Sequence, residues 1–181
     1  MAPTDEGADG PPRALLIAAV AVAVAAIVAV LAIAALRQAA PEQQPVPITS
    51  VPAPKAASPQ CGALMAALPD QLGDYRRAQA ADPAPQGAAA WRAESDADPV
   101  ILRCGLDRPA EFVVGAPLQV VEPVQWFEVA DTDRSTWFAV DRPVYIALTL
   151  PSGSGPTPIQ EISEAIAKAM PATPLDPAPP R

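Results

Sequence analysis

The longest apolar run in the chain has no polar break: the twenty-three residues Ala14 to Leu36, ALLIAAVAVAVAAIVAVLAIAAL, carry no charge, and Arg13 and Arg37 bracket them. At about 1.5 Å per residue the run forms a helix of roughly 34 Å, against a bilayer hydrocarbon core of about 30 Å. It predicts a transmembrane helix. The run exceeds the about 7–15 residues of a signal-peptide core. A cut after Ala40 would also place Gln38 and Pro41 at unfavourable positions, so an uncleaved signal-anchor is expected.

Beyond the span the pattern changes twice. Between Gln38 and Gln60 lie six prolines among Ala, Gln and Ser with no aromatic residue, which predicts an extended stalk over residues 37–60. From Cys61 the apolar positions become periodic: Leu64, Leu68 and Leu72 recur at spacing four, a short helix interrupted late by Pro69. Ala78 to Asp98, broken by Pro83, Pro85 and Gly87, reads as irregular, and Val100 to Cys104 as a short buried strand.

Four further strands follow closely, Leu118 to Val121, Val124 to Ala130, Ser135 to Val140 and Val144 to Leu150, and their short gaps predict antiparallel hairpins. The turn Asp131 to Arg134 sets Phe127 opposite Phe138. One face then carries Phe127, Val129, Phe138 and Val140, and the other carries Trp126 and Trp137. After Pro151-Ser-Gly-Ser-Gly-Pro156 the apolar residues Ile159, Ile162, Ile166 and Ala169 switch to helical spacing. The expected architecture is α+β: a small antiparallel sheet of four to five strands with two helices on one face, over residues 61–170. A cytoplasmic tail, 1–13, precedes the span at 14–36, and a proline-rich loose tail, 171–181, ends the chain.

Composition narrows the function classes. Aromatic residues make up only 4 % of the chain, so the core is small, and the net charge is −8. Past Arg37 there are seventeen Asp and Glu against ten Lys and Arg, which argues against nucleic acid as a partner and against a polybasic lipid-binding patch. The membrane is then contacted through the span alone. Flanking positive charge is nearly balanced, but a 13-residue tail before the span and a long domain behind it place the C-terminal domain outside the cytoplasm. Ten Arg against two Lys, with abundant Ala and Pro, fits a GC-rich bacterial coding sequence.

Chemistry is sparse. With no histidine, Ser-His-Asp and Cys-His machinery and the commonest metal ligand are absent together. No catalytic, cofactor-binding or metal-binding residue is assigned, although carboxylate-based hydrolysis stays open. Glu94-x-Asp96-x-Asp98 lacks the Gly and the distal Glu of a Ca²⁺ loop and reads as solvated. Ser152-Gly-Ser-Gly155 has no following Lys and reads as a connector. Trp126 and Trp137 either offer a partner face for sugars or protein side chains, or complete the core beneath a helix. Arg103 and Arg142 hold either a ligand carboxylate or one of the domain's own acids. Cys61 and Cys104 are the only cysteines and suit an oxidising compartment, so a structural disulfide between them is expected.

Cys61-x-x-Leu64-x-x-x-Leu68-Pro69, Trp91, Val100-Ile-Leu-Arg-Cys-Gly-Leu106, Trp126 and Arg142-Pro-Val-Tyr-Ile146 before a final helix resemble the actinobacterial membrane-anchored domain-of-unknown-function family numbered 3515. The likeness covers about residues 61 to 170, and Leu-Arg-Cys-Gly is its most specific piece. It departs at Trp91, which Arg92 follows where family members have a Trp-Gly-Pro-like run. The resemblance implies an exported envelope protein and no reaction. Two readings follow: a membrane-anchored, non-catalytic module for an envelope protein or cell-wall partner, or an extracytoplasmic thiol redox protein using Cys61 and Cys104. The forty-three positions between the cysteines favour the first, because redox catalysts usually hold their sulfurs in Cys-x-x-Cys.

Overall fold

The computed structural model describes residues 13–38, 44–95 and 97–180, in two compact units divided after Glu42. In the first, helix α1 (Arg13–Gln38) is about 39 Å long. Its segment Ala14–Ile33 has a mean hydropathy of 3.1 and no part buried within the protein. By length and composition it can cross a membrane.

The second unit is an eight-stranded antiparallel sheet with two helices on one face. It contains helix α2 (Pro59–Ala67), then strands β1 (Gln71–Leu72), β2 (Tyr75–Ala78), β3 (Ala88–Ala93) and β4 (Val100–Leu106). Strands β5 (Gln119–Val121), β6 (Val124–Ala130), β7 (Arg134–Ala139) and β8 (Tyr145–Pro151) follow, and helix α3 (Thr157–Ala169) comes last. The spatial order β1-β2-β3-β4-β8-β7-β6-β5 joins two four-stranded meanders through β4 and β8. The sheet is therefore larger than the expected four to five strands. The five anticipated strands are β4 to β8, and the surplus is β1, β2 and β3, in and just before the stretch read as irregular.

The reason lies in composition. Ala88-Ala-Ala-Trp-Arg-Ala93 has no β-branched residue, and its strand state comes from pairing with β4, which drives Ala89 and Trp91 into the core. Trp91 is fully buried and donates its indole N–H to Pro69 O at 2.9 Å. Pro69 also ends the first helix earlier than the Leu spacing implied. Leu68, the residue before it, is extended at ψ 135°, so Leu72 belongs to β1. At the other end of α2, Ser58 Oγ caps by accepting from Cys61 N at 3.3 Å, and Pro59 occupies the first turn.

The main core lies between helices and sheet, with Leu64 of α2, Ile162 and Ile166 of α3, and Trp91, Leu102, Trp126 and Leu148 of the sheet. Phe127 pairs with Phe138 as the turn predicted, and both face a smaller cluster on the opposite side with Phe112 and Val140.

Both proline-rich segments differ from expectation. Val46 and Ile48, assigned to the stalk, are buried on the sheet against Ala78 and Ala90, and Val46 exchanges backbone hydrogen bonds with Gln79 and Ala81. Polyproline-like chain has free donors and acceptors between its prolines, and here the edge of the fold takes them. The tail is held likewise. Ala178 N donates to Phe112 O and Thr173 N to Asp141 O, each at 2.9 Å, and Asp176 pairs with Arg108 at 3.1 Å. The described folded unit thus extends beyond 61–170 on both sides.

Candidate functional site

The expected disulfide is present. Cys61 and Cys104 are bonded with their Cα atoms 5.6 Å apart, fastening α2 to β4, and both residues have no exposed surface. Gly105 next door takes φ +88° at an irregularity in the β4–β8 register, and its carbonyl accepts from Lys55 N at 2.9 Å. A Cβ there would collide with Lys55 C and Ala56 N. The Leu-Arg-Cys-Gly sequence thus combines a buried bridge and a contact that only glycine permits.

The two tryptophans part company. Trp126 is fully buried beneath α3, where its Nε1–H donates to Ser163 Oγ at 3.0 Å, and Ser163 Oγ donates in turn to Ile159 O at 2.7 Å. It presents no ring to a partner, so it leaves the expected partner face and completes the core. Trp137 shares that side of the sheet but is only half-buried, and it lines a cleft of about 400 Å³.

The cleft is built from the sheet, a loop and a helix. Ser135 and Trp137 come from β7 and Gln119 from the outer strand β5. The loop Ser152–Pro156 closes one side, and Ile159 and Gln160 of α3 the other. Ser152 N donates to Asp133 O at 3.0 Å and Ser154 N to Pro151 O at 3.2 Å, which holds the loop against the β6–β7 turn. Gly153 and Gly155 give the loop its positive-φ turns, at φ +82° and +71°. Among the described residues no charged one lines this cleft. Its volume lies within the about 300–1,000 Å³ usual for small-molecule sites. An indole beside serine hydroxyls and glutamine amides can stack one apolar face and hydrogen-bond many hydroxyl groups. The serine-glycine run that read as a connector is one wall, a role fixed only by where α3 packs.

The remaining candidates are placed as follows. Arg142 Nη1 lies 2.8 Å from Asp141 Oδ1, and its Nη2 donates to Pro123 O at 2.8 Å, so this buried guanidinium is engaged by the fold itself. Among the described residues Arg103 forms no ion pair. Of the acidic run, Asp96 lies outside the described residues, Glu94 is 4.0 Å from Arg76, and no group of metal-ligating side chains occurs among the described residues.

No curated protein and no solved structure matches this chain. The family model described as "Protein of unknown function (DUF3515)" matches residues 20–175, most of the length, and the chain belongs to that family.

Proposed function

We propose that the protein is a single-pass membrane protein, anchored by α1, whose second unit lies outside the cytoplasm and is a non-catalytic binding module for a neutral, hydroxyl-rich ligand, a glycan of the cell envelope. The cleft beside Trp137 carries this reading, since it joins one accessible indole to serine and glutamine side chains without a charge. The buried disulfide supports an oxidising compartment. The same burial disfavours thiol redox work, because exchange requires a thiolate to reach a sulfur.

Tryptophan fluorescence tests the site. Of the three tryptophans, Trp91 and Trp126 are fully buried, so a change on adding soluble cell-wall glycan fragments to the full-length protein in detergent reports Trp137. A saturable change that Trp137→Ala abolishes is expected. No change with any fragment, or equal glycan binding by the variant, would remove the cleft from consideration. For topology, a reporter active only outside the cytoplasm, fused after Arg181, is expected to be active, and the isolated protein to retain the α1 sequence. Cytoplasmic activity, or a product starting near Pro41, would contradict the anchor.

A further inference from the structure

The sheet face turned away from the helices carries a second concavity of opposite chemistry. It holds about 320 Å³ beside Pro47 and Thr49 and the Asp98-Pro99 corner, over β4 and β8. Arg92 of β3, Arg103 of β4 and Arg134 of β7 line it. Strand alternation brings them together: Ala88 pairs with Arg103, Ile101 with Thr149 and Arg134 with Pro151, so all three arginines fall on one face. In a chain of net charge −8 this is a local reversal of sign.

The arginines are not engaged by the fold as Arg142 is. Among the described residues none of the three forms an ion pair. Arg103 Nη2 donates to Thr49 O at 3.3 Å, and the Nε–H groups of Arg103 and Arg92, like that of Arg142, are closed off from solvent without an acceptor. Burial also holds the Arg103 guanidinium below its ordinary value, with no neighbouring acid to offset it. Guanidinium groups that line one concavity without an ion pair leave their charge available to an oxyanion.

We propose that this groove binds a phosphate group. Among the described residues of the lining, three guanidinium charges stand against one carboxylate, that of Asp98, an excess that a phosphate dianion matches better than a lone carboxylate does. Guanidinium forks suit tetrahedral oxyanions, and phosphate oxygens can accept from terminal N–H groups of the arginines that line the groove. The site is independent of the glycan reading, and it adds a charged ligand on the other face of the same sheet.

The test titrates full-length protein in detergent micelles with inorganic phosphate and with glycerol phosphate, following the arginine Nε–H resonances by NMR. Saturable shifts are expected, with affinity falling about tenfold or more in Arg92→Gln and Arg103→Gln, the loss expected for a charge-assisted hydrogen bond. Arg108→Gln, which breaks the pair with Asp176, is expected to leave phosphate affinity unchanged. Tighter binding of glycerol phosphate identifies an esterified phosphate as the ligand, and equal binding identifies the free ion. Arg134 is exposed, so Arg134→Gln keeps the test decisive should Arg103→Gln fail to fold. Trp137→Ala is expected to bind phosphate normally, which separates this site from the cleft. Absence of saturable shifts with both probes, or wild-type affinity in both Arg92→Gln and Arg134→Gln, would overturn the proposal.

Discussion

Trp126 on β6 donates its indole N–H to Ser163 Oγ on α3 at 3.0 Å, and neither residue has any exposed surface. Only this hydrogen bond among the described side-chain contacts joins helix α3 to the sheet within the core. Ser163→Ala leaves the indole donor without its acceptor, at a cost of about 1–3 kcal/mol. Chemical denaturation of residues 44–181 measures it, and unchanged stability would show that the donor finds another partner.

Phe127 and Phe138 are directly paired, but they are not equally buried. Phe127 is 6 % exposed and packs on Phe112 with ring centroids 5.6 Å apart, whereas Phe138 is half-buried. Phe127→Ala is expected to cost about 3–5 kcal/mol and Phe138→Ala distinctly less. Melts that reversed this order would show the cluster to be packed differently.

The segment before α2 acts as part of the fold. Val46 and Ile48 each contribute about 1.5–3 kcal/mol by burial, so a fragment starting at residue 61 is expected to melt well below one starting at residue 44. Gly105→Ala attacks the same segment at another point, where Lys55 and Ala56 meet the sheet. The positive φ alone costs about 1–3 kcal/mol, and the collision with Lys55 and Ala56 adds to it. Equal melting temperatures for the two fragments would return residues 44–60 to the role of a linker.

The disulfide closes a loop of about 44 residues, for which chain entropy gives roughly 4 kcal/mol. Thiol counting on denatured protein isolated without reductant is expected to find none. The double variant Cys61→Ala/Cys104→Ala is expected to lose a large share of a stability of about 5–15 kcal/mol. Two reactive thiols per chain would remove the bridge and weaken the case for an oxidising compartment.

Alkaline pH is expected to destabilise the second unit through two tyrosines. Burial first, and Asp74 second, raise the Tyr75 phenol above its ordinary value. Burial, then Asp176, raise Tyr145, with Arg108 acting the other way. The folded state holds these protons longer than the unfolded chain. Their contribution is therefore complete below about pH 10 and is lost as pH rises from there through the folded values. Tyr75→Phe/Tyr145→Phe is expected to flatten this decline, and an identical pH profile in the variant would assign the loss to other groups.

The sequence by itself determined the elements whose periodicity is their own. The unbroken apolar run marks α1, the alternation of Val124–Ala130 and its neighbours marks β6 to β8 and the Phe127–Phe138 register, and Ile159, Ile162 and Ile166 mark α3. Two cysteines in one chain leave a single intramolecular pairing, so the bridge was legible as well. Tertiary structure decided the rest, because those segments take their state from neighbours distant in sequence. Ala88–Ala93 becomes a strand by pairing with β2 and β4, and the proline-rich ends order where the carbonyls of Gln79, Phe112 and Asp141 accept their backbone hydrogen bonds. The candidate sites belong to this second class. Trp126 and Trp137 look alike along the chain, and the position of α3 alone buries the first and leaves the second beside a cleft. Arg92, Arg103 and Arg134 come from three strands, and what gathers them is the strand order, a property of pairing that no local pattern encodes.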